Sequence, residues 1–162
     1  MLNEWRDKIA SEITALDREL RIELPKEIRR AVELGDLREN AEYTAALERQ
    51  EFVKARLSHL QRRLGEIGRL SPRDIPRDRI ALGSRVALEF EGGELTAVLL
   101  VLPEFVEEQG DTVSINSPIG RALLGRVTGD QVRIDLPEGA RTAHVRSFET
   151  LHVLAERAED GT

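Results

Sequence analysis

The chain contains no cysteine. That excludes disulfides and thiolate metal sites, and it fits the reducing cytoplasm, the expected location. Aromatic residues are scarce, with one Trp, one Tyr and four Phe in 162 residues. There is no run of about 18 apolar residues, so no membrane span is expected. Residues 1–8 lack the apolar core of a signal peptide. Motifs that carry chemistry are missing too. His59, His144 and His152 are scattered. The sequence has no HExxH, EF-hand loop, phosphate loop or dinucleotide fingerprint. Gly83-Ser84-Arg85-Val86 lacks the second glycine of a nucleophile elbow. No self-sufficient active site is expected, so the chain reads as a non-enzyme that works on something a partner supplies.

Charge, by contrast, is abundant and uneven. Residues 1–80 hold 17 basic and 16 acidic side chains, whereas residues 81–162 hold 7 and 14. A region dense in both signs suits a solvated helical rod. An acidic second half argues against wrapping nucleic acid by bulk charge.

Periodicity divides the chain. Tyr43, Ala46, Gln50, Val53, Leu57, Leu60, Leu64 and Ile67 recur in steps of three and four, the seam of a coiled-coil helix ending near Gly65 or Gly68. Ile9, Ile13, Leu16 and Leu20 form a second seam, whose phase slips to Leu24, Ile28 and Ala31 at Pro25. Proline there predicts a bend or local break before the helix resumes to Leu34, with Gly35 as a left-handed cap. A short connection between two such helices forces an antiparallel hairpin over residues 1–70. Residues 71–82, with Pro72 and Pro76, read as a linker.

Beyond the linker the period becomes two. Val86, Leu88 and Phe90 alternate, a strand runs from Leu95 to Leu102, Val113 and Ile115 start another, and Pro118 opens a short helix through Leu124. Val132, Ile134 and Leu136 alternate, and residues 143–154 supply the last strand or two. Residues 83–155 are thus a small domain with a mostly antiparallel sheet, and residues 156–162 a frayed tail. The fold class is α+β.

Between the two helices lies Gly35-Asp36-Leu37-Arg38-Glu39-Asn40-Ala41-Glu42-Tyr43. Asp36 and Glu39 have the spacing of a capping box, with Asp36 as the cap of the second helix. They also place two carboxylates at the tip of a rod, where acid can be delivered into another molecule. Tyr43 is on the seam, which favours packing over stacking. Arg49, Arg56 and Arg63 form a heptad stripe, and Glu12 and Glu19 flank the other seam where antiparallel arms would pair them.

Residues 35–46 resemble the GDLxENAEYxAA hairpin-tip motif of the bacterial Gre transcript-cleavage factors, GreA branch. Ser114-Ile115-Asn116-Ser117-Pro118-Ile119-Gly120-Arg121-Ala122-Leu123-Leu124-Gly125 is similar to the family's SxxSPIARALxG. The resemblance implies an N-terminal coiled-coil hairpin and an FKBP-like C-terminal domain. It implies a transcription elongation factor that binds bacterial RNA polymerase and inserts its hairpin in the secondary channel. There it would stimulate the polymerase's own cleavage of backtracked nascent RNA.

Asp36 and Glu39 would then hold a Mg²⁺ shared with the polymerase active site, near the RNA 3′ end and the DNA, with Asn40, Glu42 and Tyr43 as tip support. Asn116, Ser117 and Pro118 would dock on the coiled coil at the channel rim. No cofactor is expected on the chain alone, and a monomer is expected. Gly120 stands where the family commonly has alanine, which should loosen the short helix by about 0.5–1 kcal/mol. Two rivals carry different functions: a Gre-like channel binder that inhibits without cleavage, and a prolyl isomerase or chaperone. The latter needs an aromatic cleft, and the second half holds only Phe90, Phe105 and Phe148.

Overall fold

The computed structural model describes residues 1–36 and 39–161; Leu37 and Arg38 of the tip stretch lie outside the described residues. The chain forms two compact units, Leu2–Leu70 and Ser71–Thr162 together with Met1.

The first unit is a helical hairpin. One arm is α1 (Leu2–Arg18), a π-helical turn (Glu19–Glu23) and α2 (Leu24–Glu33); the other is α3 (Ala41–Gly68). The arms bury Trp5, Ile9, Leu16, Leu24 and Ala31 on one side and Ala46, Val53, Leu57, Leu60 and Ile67 on the other. Each fully buried leucine contributes about 1.5–3 kcal/mol relative to an exposed one. The heptad seam of α3 is the one its sequence predicts.

The expected break at Pro25 takes another form. From Ile9 to Leu16 is seven residues, from Leu16 to Leu24 eight, and from Leu24 to Ala31 seven. The π turn absorbs the extra residue. The N–H of Leu24 reaches back five residues to the carbonyl of Glu19, and Pro25 beside it has no N–H to place. The helix widens by one residue, and Leu24 and Ala31 return to the seam.

The second unit is built on five strands: β1 (Arg85–Phe90), β2 (Leu95–Val101), β3 (Thr112–Ser114), β4 (Gln131–Leu136) and β5 (Gly139–Glu149). Their order is β3-β2-β1-β5-β4. All pairings are antiparallel except β2 with β3. Alternation puts Val86, Leu88, Phe90, Val98, Leu100, Val132, Ile134, Ala143 and Val145 on the core face, where Ile80 and Leu123 join them. Leu123 comes from α4 (Pro118–Leu123), the short helix opened by Pro118. The fold class is α+β, a helical hairpin followed by an antiparallel-rich sheet domain.

Three boundaries differ from expectation. Residues 71–82 are not a bare linker. Ser71 caps a 3₁₀ turn over Pro72–Asp74, Ile75 is buried, and Ile80 is part of the sheet-domain core. Ile80 is also tied by its backbone, its N–H donating to Arg126 O at 2.9 Å and its carbonyl accepting from Gly125 N at 2.8 Å. Second, residues 143–154 are not all strand: β5 stops at Glu149 and α5 (Leu151–Asp160) follows. Third, α5 takes in most of the expected frayed tail. It is anchored by buried Leu151 and His152, and the imidazole Nε2–H of His152 donates to Ile75 O at 2.9 Å.

Gly120 is a further correction. It does not merely loosen α4. A Cβ at this position would lie 2.1 Å from Ser114 O and 2.8 Å from Ile115 Cα, both backbone atoms. The missing side chain lets α4 rest against the strand end that precedes it. Gly120→Ala should therefore destabilise the chain by about 1–3 kcal/mol through overpacking, against roughly 0.5–1 kcal/mol of gain expected in an open helix. Chemical denaturation of the full chain distinguishes the two by sign.

Candidate functional site: an acidic hairpin tip and a presented loop

Helix α2 closes with Leu34 N–H donating to Ala31 O at 3.2 Å and Gly35 N–H to Val32 O at 3.4 Å. Gly35 then turns at φ +119°, a left-handed value that favours glycine. Helix α3 starts at Ala41 with Asn40 as its cap: Asn40 Oδ1 accepts from Tyr43 N–H at 3.1 Å. The expected capping box of Asp36 and Glu39 is therefore not formed. Asp36 lies four residues before the cap and Glu39 one before it, so neither is at the capping position. The signal that would have found the cap is in the sequence. Asparagine is among the strongest N-cap types, and Asn40 immediately precedes the periodic run.

Asp36 and Glu39 are both exposed. Carboxylate oxygens are the hard donors that Mg²⁺ prefers. Among the described residues, no group of three or more His, Cys, Asp or Glu is placed to hold a metal ion. The donor set at the tip thus fits a divalent cation only as part of a set that a second molecule completes. Glu42 lies further along, beside a shallow groove shared with Glu27, Arg30, Ala45, Ala46 and Arg49. Tyr43 is half-buried at its seam position.

The flank of the rod is organised by ion pairs. Arg49 binds Glu19 through two nitrogens, at 2.6 and 2.9 Å, and Arg56 binds Glu12 at 2.9 Å. Each acid is one heptad from the other, as is each arginine. The next step of the series would bring Arg63 opposite Trp5, which is no acid. Arg63 instead pairs with Glu66 on its own helix. Arg49 also lies over the exposed ring of Phe52, 5.1 Å from its centre.

In the sheet domain the three expected docking residues divide by role. Ser117 is half-buried and engaged internally. Its Oγ donates to Ser114 O at 2.6 Å and accepts from Gly120 N–H at 3.0 Å, which caps α4. Ser117 N–H also donates to Ser114 O at 3.0 Å. The loop is wound around this one carbonyl, a role not read from the sequence. Asn116 and Pro118 on either side are exposed.

The chain thus combines a helical hairpin that carries exposed acids at its tip with a sheet domain that has an exposed loop before α4. Residues 1–67 match the family model "Transcription elongation factor, N-terminal", and residues 75–150 match "Transcription elongation factor, GreA/GreB, C-term". The chain belongs to the GreA/GreB family of transcription elongation factors. It is 36% identical over 143 residues to the transcription elongation factor GreA of Syntrophobacter fumaroxidans, covering 88% of this chain and 92% of that one. To GreA of Nitratiruptor sp. it is 39% identical over 134 residues, 82% of each. Among solved structures it is similar to the GreA factor homolog 1 (Gfh1) protein of Thermus thermophilus, with 26% identity, 89% and 94% coverage and a TM-score of 0.41.

The Glu19–Arg49 pair is open to a direct test. The hydrogen bonds and charge of Arg49 hold the Glu19 carboxyl below its ordinary value. A carboxylate depressed in the folded state stabilises above its unfolded value, and that contribution is lost as pH falls through the folded value. Both side chains are partly exposed, at 23% for Glu19 and 45% for Arg49. A double-mutant cycle of Glu19→Gln and Arg49→Gln should therefore give about 0.2–1 kcal/mol of coupling at neutral pH. The coupling should hold down to the ordinary glutamate pKa of about 4.3 and vanish below the depressed folded-state value.

Proposed function

We propose that this chain binds bacterial RNA polymerase, enters its secondary channel tip first, and stimulates the polymerase's own cleavage of backtracked RNA. The observation that supports this most is the exposure of both acids, Asp36 and Glu39, at the hairpin tip, just ahead of the Asn40 cap of α3. In this reading Asp36 and Glu39 add carboxylate oxygens to a weakly held Mg²⁺ at the polymerase active site. A second divalent ion there supplies Lewis acidity and positions an attacking water for phosphodiester hydrolysis.

The chain's own work is placement. The seam keeps the two arms rigid behind the tip. Asn40, Glu42 and Tyr43 support it, Tyr43 by packing and Asn40 by capping α3. Asn116 and Pro118 present the docking surface toward the rim coiled coil, and Ser117 holds that loop in shape. The protein lends ligands and is not an enzyme alone. It acts in the cytoplasm, where the polymerase is, as a monomer.

Two measurements test the two ends. Asp36→Asn and Glu39→Gln each keep size and polarity while removing the charge that attracts a divalent ion. Both should leave polymerase affinity within about twofold and lower stimulated cleavage by roughly tenfold or more, because one lost ligand-type interaction is worth on the order of 1.4 kcal/mol or above. Raised Mg²⁺ should restore part of the loss. Wild-type cleavage by both variants would remove the tip acids from the mechanism. Tight binding by the parent protein without any stimulation would instead favour an inhibitory channel binder.

Pro118→Ala addresses docking. It occupies the first helical position, where proline is tolerated because its missing N–H is an orphan anyway. The substitution should leave thermal unfolding nearly unchanged and raise the concentration needed for half-maximal cleavage. Unchanged half-saturation would take this residue out of the docking surface.

A further inference from the structure

One side chain joins the two helix ends at the tip. Asn40 Oδ1 accepts the N–H of Tyr43 at 3.1 Å, and its Nδ2 donates to the carbonyl of Ala31 at 2.6 Å. The amide can face only one way, because the N–H of Tyr43 can only donate and the carbonyl of Ala31 can only accept. Both partners are groups at helix ends, where the regular i to i−4 bonding stops. Tyr43 is in the first turn of α3, and Ala31 is in the last turn of α2. The same carbonyl also takes the N–H of Leu34 at 3.2 Å. Donor and acceptor belong to one small planar group, so Asn40 sets how far the end of α2 lies from the start of α3.

The residue type follows from this double duty. Aspartate and serine cap a helix about as well as asparagine. Ionised aspartate carries no donor, and serine has a single hydroxyl oxygen, one bond nearer the backbone, in place of two separate polar atoms. Capping alone would accept any of the three residues; of the three, only asparagine carries a donor and an acceptor on separate atoms at this reach.

We propose that Asn40 is a positioning residue for the tip acids, locking the helix ends so that Asp36 and Glu39 are offered in one fixed arrangement. This rests on the reading of Asp36 and Glu39 as ion ligands. Its consequence is that the Asn40 bond to Ala31 governs the rate of stimulated cleavage at saturation and leaves the affinity for polymerase alone. Small displacements of reacting groups are costly, about a hundredfold for an ångström.

The test uses the full chain with its cognate polymerase, stalled on a backtracked transcript. Asn40→Asp keeps a cap acceptor for Tyr43 and removes the donor to Ala31; Asn40→Ser keeps a cap acceptor without adding charge and replaces the amide N–H with a hydroxyl one bond shorter. For each, the cleavage rate at saturating factor and the half-saturating concentration are measured, with amide exchange at Tyr43 as a monitor of the cap. Both variants should retain Tyr43 protection and half-saturation within twofold, and both should lose about tenfold or more in maximal rate. Asn40→Ala should lose Tyr43 protection in addition. Parent-like maximal rates in Asn40→Asp and Asn40→Ser would overturn the proposal, as would a loss confined to half-saturation. Asp36→Asn and Glu39→Gln, run in parallel, separate the two readings. If they lose cleavage while the Asn40 variants do not, only the positioning role fails. If they cleave like the parent, the tip reading fails and the positioning role fails with it.

Discussion

The register of the antiparallel seam is the constraint on which the hairpin depends. Helix α3 has 28 residues, about 42 Å at roughly 1.5 Å per residue. A slip of one residue between the arms would shift them by about 1.5 Å and turn every side chain by about 100°. Val53, Leu57, Leu60 and Ile67 would leave the seam, and the pairing of Glu12 with Arg56 and of Glu19 with Arg49 would fail together. Apolar burial provides most of the energy, and the heptad-spaced ion pairs discriminate between registers. Individually such exposed pairs stabilise by about 0–1 kcal/mol, but only one register satisfies both.

The π turn extends that register past a proline. Without the extra residue in Glu19–Glu23, Leu24 and Ala31 would rotate off the seam by about 100°. They are instead 0% and 2% exposed. Ala31 is the residue whose carbonyl receives the Asn40 amide. The tie at the tip is therefore aligned only because the turn twelve residues earlier restores the phase. Pro25 and Asn40 are linked in this sense: the first perturbs the arm, the π turn corrects it, and the second uses the corrected end.

The periodic features of this fold were legible in the sequence, because a heptad seam and an alternating strand each need only side-chain order. The seam of α3 and the buried positions of β1 and β4 follow directly. What stayed hidden was decided by backbone geometry. The phase slip at Pro25 was visible, but a break and a π turn produce the same sequence pattern. Asp36 with Glu39 has capping-box spacing, and only the observed start at Ala41 shows that Asn40 is the cap. Residues 143–154 read as the last strand or two, whereas α5 begins at Leu151; its anchors are Leu151 and His152, adjacent in sequence. Gly120 looked like a weak helix residue, and the carbonyl of Ser114 that forbids a side chain there leaves no trace in composition.

The separation of structural from exposed groups bears on how the acid tip could work. A carboxylate that caps a helix has one oxygen committed to a backbone N–H, which stabilises its charge and weakens it as a metal ligand. Asn40 caps α3 with a neutral amide, and Asp36 and Glu39 are exposed. In water two such carboxylates hold a divalent cation poorly, since Mg²⁺ gives up its hydration shell reluctantly and needs more ligands than the tip provides. Inside a site of lower dielectric the same two charges count for much more, because electrostatic attraction strengthens as water is excluded. In the proposed reading, an exposed acid pair on a helical rod would be nearly inert in free solution and would become effective only where a partner supplies the remaining ligands.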